Sequence, residues 1–181
     1  ARATVAIPGE YTTAALLLKL YLPEAVHLRV MKFDEIVGAV ARRRVDCGVI
    51  IHESRFTYMD HGLVCLRDLG QWWEEMTGLP VPLGCIAARR TLGDEVVREI
   101  DRALRASVQW ARDNPGRCME YIRRYAQEMN ERVLQKHIGL YVNDFTLDIG
   151  EEGRAAVTEL LRRGREAGIF PAAAGASPHL F

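Results

Sequence analysis

The first 51 residues restrict the fold most strongly, because three strand-like runs, the second of them alternating apolar with polar residues, alternate there with two helical segments. The strand-like runs cover residues 4–9, 27–33 and 45–51. An apolar helix is expected at about residues 14–21, and apolar residues recur at helical spacing after Asp34, which is the expected N-cap. Strands that alternate with helices indicate parallel strands joined by right-handed crossovers. The sequence therefore predicts an α/β fold.

Polar side chains follow the third strand-like run directly. His52, Glu53, Ser54 and Arg55 come after the apolar residues that end at Ile51. Ligand sites in open α/β sheets form beyond the carboxyl ends of strands, where a histidine can act as an acid or a base. His52 is therefore the candidate catalytic residue. The alternative is that His52 is only a hydrogen-bonded loop residue.

A second polar segment follows the first strand-like run. Pro8-Gly9 ends that run, and Thr12 and Thr13 stand at the expected start of the first helix. Backbone N–H groups at a helix N-terminus point toward a bound anion, and a hydroxyl there can also contact it. Thr12 and Thr13 are therefore candidate ligand-binding residues. Capping of the helix alone is an equally open interpretation. Both segments are expected at the same edge of one sheet.

The remainder of the chain is mostly helical in its pattern. We expect a turn at residues 60–62, a short helix ending at Gly78 and a strand in the second half of 79–88. Four further helices are expected, at about residues 94–113, 118–129, 130–138 and 153–167. Trp72 and Trp73 are interpreted as core residues rather than as a stacking platform. The expected division is an α/β lobe at 1–92, a helical part at 93–170 and a disordered tail at 171–181.

Composition narrows the class of function. The 24 basic residues balance 24 acidic ones, which argues against a general nucleic-acid binder. The four cysteines form no CxxC pair, so neither a metal knuckle nor a disulfide framework is expected, and a reducing compartment is indicated. No apolar run approaches the length of a membrane span. The chain begins at Ala1 and enters a strand-like run within three residues, a start expected for the interior of a longer protein.

Long motifs in the sequence resemble a known family. They are 5–14 (VAIPGEYTTA), 49–58 (VIIHESRFTY), 68–74 (DLGQWWE), 80–84 (PVPLG), 126–129 (AQEM) and 137–143 (HIGLYVN). In this order and over nearly the whole chain, they resemble the 1,4-dihydroxy-6-naphthoate synthases. These enzymes process cyclic dehypoxanthinyl futalosine in the futalosine route to menaquinone.

The resemblance implies a two-lobed fold like that of type II periplasmic binding proteins, with one lobe and the C-terminal helices present here. It implies a lyase in which His52 accepts a proton and the Thr12-Thr13 turn contacts a small-molecule substrate. Neither a metal nor an organic cofactor is implied, nor is any nucleic-acid or membrane partner. The implied location is the cytoplasm.

One departure from the family concerns the first lobe. Family members carry a substantial segment before the strand that ends at Pro8-Gly9, and this chain lacks it. A homodimer, or the missing first-lobe segment, is the expected partner. Three other interpretations stay open at this point: a solute-binding protein of the same fold, a chorismate dehydratase-like enzyme, and a non-catalytic remnant. The segment from His52 to Tyr58 favours the naphthoate synthases over the dehydratase.

Overall fold

A computed structural model of the protein describes residues 3–23, 27–52, 54–126 and 130–170. These residues fold into two compact units. The first unit runs to Pro82 and resumes at Ala155, and the second covers Leu83–Arg154. The expected disorder of residues 171–181 lies outside the described residues.

A three-stranded parallel sheet is the centre of the first unit. Its strands are β1 (Thr4–Ile7), β2 (His27–Val30) and β3 (Cys47–Gly48), and their order is β2-β1-β3. The predicted α/β fold with parallel strands is thus confirmed for this unit. Each strand is shorter than the run that predicted it. β1 itself ends before Pro8, which has no N–H to donate to a neighbouring strand.

A helix follows each of the first two strands, α1 at Thr13–Tyr21 and α2 at Phe33–Ala41. Successive side chains of a strand point to opposite faces of its sheet. Val5 and Ile7 accordingly pack in one buried cluster with residues of α1, whereas Ala6 packs in another with residues of α2. The two helices therefore cover opposite faces of the sheet.

The start of α2 differs from the prediction. Lys32 is the N-cap residue and makes no hydrogen bond with its side chain. Asp34, the expected N-cap, is instead the second residue of the helix, so that prediction was wrong. Its carboxylate lies in the first turn, where negative charge interacts favourably with the helix dipole. An aspartate near a helix start can therefore be either a cap or a first-turn residue, and the prediction chose the wrong one.

The segment after β3 contains two short helical turns and a longer helix. These are α3 (Ser54–Thr57), a 3₁₀ turn (Tyr58–His61) and α4 (Leu69–Thr77). Gly62 and Gly78 end the last two with φ values of 71° and 68°. Such left-handed backbone favours glycine, so the predicted turn at 60–62 and the predicted helix end at Gly78 are both confirmed.

Trp73 of α4 lies in the core of the first unit. Its side chain is completely buried and packs in a cluster with Leu16, Leu17 and Leu160. Its indole Nε1 donates a hydrogen bond to the carbonyl oxygen of Pro80 at 3.1 Å. The interpretation of Trp73 as a core residue is confirmed, since a fully buried ring has no face open to a ligand.

Helices make up most of the second unit. They are α5 (Asp94–Asp113), α6 (Pro115–Tyr125), α7 (Glu131–Tyr141), α8 (Asp144–Leu147) and the start of α9 (Gly150–Glu166), which continues into the first unit. The strand expected in the second half of 79–88 was wrong, because residues 83–88 are exposed and pair with no strand of the described chain. Within the described residues, no helix combines the length and apolarity that crossing a membrane requires.

Gly48 lets α2 lie close to the sheet. A Cβ atom added to Gly48 would lie 2.3 Å from Cγ2 of Ile36, whose side chain is completely buried. A Cβ atom added to Gly38 of α2 would meet only the guanidinium of Arg42, at 2.8 Å, which can turn away. The packing around Gly48 therefore leaves no room for a Cβ atom, whereas the surroundings of Gly38 can admit one.

Gly48→Ala is expected to destabilise the protein by about 1–3 kcal/mol, since the buried Ile36 must shift to admit the methyl group. The control Gly38→Ala is expected to be neutral or to stabilise by about 0.5–1 kcal/mol, because it removes a glycine from a helix interior. Urea unfolding followed by circular dichroism measures both. Equal midpoints for the two variants would contradict the close packing at Gly48.

Candidate active site

The strand order defines where a ligand crevice can form. β1 is the middle strand. The connection through α1 joins β1 to β2 on one side, and the connection through α2 then joins β2 to β3 on the other side of β1. Since α1 and α2 cover opposite faces, the sheet has a topological switch point between β1 and β3. Crevices in open α/β sheets form beyond the carboxyl ends of the strands at such a point. The segment after β1 leads to Thr12, and the segment after β3 leads to His52.

Thr12 is the N-cap of α1. Its Oγ1 accepts a hydrogen bond from the backbone N–H of Ala15 at 3.1 Å and donates one to the carbonyl oxygen of Gly9 at 2.9 Å. The backbone N–H of Leu16 donates to the carbonyl oxygen of Thr12 at 3.0 Å. The hydroxyl proton of Thr12 is therefore engaged within the turn, and capping is a role of Thr12 in this structure.

Thr13 and Ala14 supply the remaining donors at this helix end. The first N–H groups of a helix have no carbonyl partner within it, and Thr12 satisfies only the groups of Ala15 and Leu16. The backbone N–H groups of Thr13 and Ala14 thus belong to a helix terminus that carries positive partial charge. Both residues are only partly buried. This arrangement can receive a carboxylate group.

His52 lies in the turn that follows β3. Its backbone φ is 57°, in the left-handed region that non-glycine residues adopt infrequently. Its carbonyl oxygen accepts a hydrogen bond of 3.4 Å from the N–H of Arg55. The half-buried imidazole meets the ring of Phe33 edge to face, with centroids 4.9 Å apart and an interplanar angle of 66°. The ring that could move a proton is therefore packed at the site.

Arg55 links this turn to the helix that follows. Its guanidinium Nη2 lies 3.2 Å from the carboxylate of Asp68, which also caps α4 by accepting bonds from the N–H groups of Gly70 and Gln71. The positive charge of Arg55 is thus paired with the carboxylate that caps α4. Glu53, the residue after His52, lies outside the described residues.

Cys47 of β3 lies close to this edge in the sequence, but its environment is that of a packing residue. It packs against the cluster that contains Val5 and Ile7. Burial, and secondarily the negative charge of Asp46, raises the pKa of the Cys47 thiol. A thiol with a raised pKa stays protonated at neutral pH, which is unsuitable for a nucleophile.

The three residues expected at the site therefore lie on segments that leave adjacent strands at the same edge of the sheet. Thr12 and Thr13 follow β1, and His52 follows β3. Two contributors were missed, namely Phe33, whose ring packs on His52, and Asp68, which binds Arg55. Phe33 is the last residue of the second predicted strand-like run, so a search of the carboxyl ends of all three runs would also have found it.

The fold and the switch-point edge define an α/β protein with a candidate ligand site. A family model for menaquinone biosynthesis matches residues 1–166 of the chain. The chain therefore belongs to the menaquinone biosynthesis family.

Relatives within this family carry a specific name. The chain is 48% identical over 165 residues to the 1,4-dihydroxy-6-naphthoate synthase of Thermus thermophilus, covering 91% of this chain and 60% of that protein. It is 48% identical over 174 residues to the enzyme of the same name from Streptomyces coelicolor, covering 93% and 62%. The chain thus spans about three-fifths of the length of these relatives.

A solved structure is similar as well. The crystal structure of protein AF1704 from Archaeoglobus fulgidus superimposes with a TM-score of 0.88 at 40% sequence identity. The match covers 93% of this chain and 63% of that one. The mixed α/β architecture is therefore shared with a protein of known structure.

Thr12→Val is expected to destabilise the protein by about 1 kcal/mol, because valine cannot accept the hydrogen bond from Ala15. Thr12→Ser keeps the cap and is expected to retain most of the stability. Thr13→Val, one position further along, is expected to stay within about 0.5 kcal/mol of wild type, since the Thr13 hydroxyl does not cap α1. Urea unfolding measures all three. A loss in Thr13→Val equal to that in Thr12→Val would contradict the assignment of Thr12 as the cap.

Proposed function

We propose that the protein containing this chain is a 1,4-dihydroxy-6-naphthoate synthase, a lyase that releases the naphthoate from cyclic dehypoxanthinyl futalosine. The observation that carries the proposal is the switch point between β1 and β3, which supplies one sheet edge with both a helix N-terminus and a histidine. Two relatives that are 48% identical bear this name. Membership of the menaquinone biosynthesis family supports the same pathway.

The N-terminus of α1 is proposed to bind the carboxylate of the naphthoate part of the substrate. The N–H groups of Thr13 and Ala14 and the hydroxyl of Thr13 would donate hydrogen bonds to it. Such donors are oriented before the ligand arrives, and the helix dipole favours a negative charge there. Thr12 would act indirectly, since its hydroxyl holds the turn that exposes these groups.

His52 is the proposed general base. A neutral imidazole nitrogen would take a proton from the substrate, the bond to the ribose-derived part would break, and the bicyclic naphthoate would leave. A base positioned at the reacting atom accelerates a reaction by about 10²–10⁴-fold. The edge-to-face contact with Phe33 supports this role, because it packs the ring at the sheet edge instead of leaving it in solvent.

The wider architecture is also part of the proposal. A two-lobed fold like that of type II periplasmic binding proteins would place the substrate in a cleft. The first-lobe segment or a second copy of the chain would complete that cleft. The cytoplasm is the expected location for a small-molecule biosynthetic enzyme of this kind.

His52→Asn is expected to lower kcat by about 10²–10⁴-fold, because asparagine tolerates the left-handed backbone but cannot act as the base. The assay follows naphthoate formation from the cyclic substrate, using protein expressed from its complete reading frame. His27→Asn is the matched control, since His27 begins β2 at the opposite, amino-terminal edge of the sheet. It is expected to keep the wild-type rate.

Two outcomes would contradict the proposal. An active wild type together with a His52→Asn variant that keeps most of its rate would remove His52 as the base. A wild type that binds the cyclic compound without converting it would favour a solute-binding protein of the same fold.

Thr13→Val is expected to weaken binding of 1,4-dihydroxy-6-naphthoate by about tenfold, the effect of losing one hydrogen bond to a charged group. Isothermal titration calorimetry measures the affinity, and Thr13→Ser is expected to restore it. The double replacement of Thr12 and Thr13 by valine is expected to weaken binding at least as much. An unchanged affinity in the double variant would remove this turn from the site.

A further inference from the structure

The ring of Phe33 meets the imidazole of His52 in an edge-to-face pair whose two members come from different parts of the chain. Phe33 begins α2, after β2, whereas His52 follows β3. Their centroids are 4.9 Å apart and their planes are inclined by 66°. Aromatic pairs prefer this separation and inclination. The contact therefore joins the segments that leave the two outer strands of the sheet.

Phe33 begins a helix that is packed into the core. Residues three and four positions apart share one face of a helix, so Phe33 lies on the face of Ile36 and Val37. Ile36 is completely buried and Val37 is 6% exposed. The face that carries Phe33 is thus anchored in the core beneath the sheet.

The segment that leads to His52 also packs against residues of α2. Ile50, two residues earlier, packs against the cluster that contains Ile36 and Ala39 of α2. The left-handed φ of 57° then turns the chain away from the direction of β3. Backbone in this region persists where the surrounding structure fixes it. Helix α2 thus contributes to the packing of this segment at two positions, at Ile50 through the cluster that contains Ile36 and Ala39, and at His52 through Phe33.

Ring orientation matters for a base more than mere proximity does. The second side-chain torsion of histidine is broad and roughly twofold, so a histidine in an open turn samples several ring directions. A packed aromatic neighbour selects among them. We propose that Phe33 is a positioning residue for His52, in that its edge-to-face contact fixes the direction in which the imidazole nitrogen faces the substrate. This inference rests on the proposed function of His52 as the base.

The test replaces the ring while keeping an apolar side chain of similar bulk. Phe33→Leu is expected to lower kcat by about tenfold, with KM changed by less than about threefold, since the substrate contacts at α1 are untouched. Phe33→Tyr retains the ring and is expected to restore kcat to within about twofold of wild type.

Tyr21→Leu is the matched control. Tyr21 and Trp72 form another edge-to-face pair in the same unit, with centroids 5.3 Å apart and an interplanar angle of 64°. Tyr21 is the last residue of α1 and lies far along that helix from its N-terminus. The control therefore loses a comparable aromatic contact and is expected to keep the wild-type kcat.

A second readout is independent of turnover. In protein labelled at histidine, the ring-proton signals of His52 are assigned by their loss in His52→Asn. A neighbouring aromatic ring shifts such signals, so Phe33→Leu is expected to move them and Tyr21→Leu is expected to leave them in place.

Unmoved signals in Phe33→Leu would overturn the proposal, as would a loss of kcat no larger than that in Tyr21→Leu. If His52→Asn itself keeps the rate, the proposed function of His52 fails, and the signals then decide only whether Phe33 contacts the ring.

Discussion

Burial of β1 on both faces is the constraint on which the rest of this structure depends. Its alternating side chains require cover on each side, and α1 and α2 supply it from opposite faces. Because the two helices lie on different faces, β2 and β3 fall on different sides of β1. The switch point at the carboxyl edge is a consequence of this arrangement, and so is the convergence of the segments that carry the candidate site residues.

The candidate site combines fixed backbone with packed side chains. Thr12 uses its hydroxyl to close the turn, and the N–H groups of Thr13 and Ala14 lie at the helix terminus beside it. On the other side, α2 supports the turn that carries His52. Helices α1 and α2 pack on the same sheet, so the N-terminus of α1 and the turn that carries His52 are both supported by that sheet. Catalytic groups need this kind of support to hold their geometry.

Local signals were reliable where neighbouring residues alone decide the structure. The end of α4 at Gly78 followed from glycine's tolerance of left-handed backbone. Asp34 was misplaced by two positions, because an acidic residue is favourable both as a cap and in the first turn. The strand expected within residues 79–88 failed for a different reason. An apolar run becomes a strand only where another strand pairs with it, and among the described residues none does.

The sequence by itself determined the α/β order, the parallel strands and the positions of Thr12, Thr13 and His52 at strand ends. These properties depend on hydrophobic periodicity and on turn residues, which are local. Only the tertiary structure decided that Phe33 meets His52, that Arg55 is paired with Asp68 and that the hydroxyl of Thr12 is engaged in capping. Contacts between residues far apart in the chain depend on how the helices pack on the sheet. That packing is set by the volumes of buried side chains such as Ile36 against Gly48.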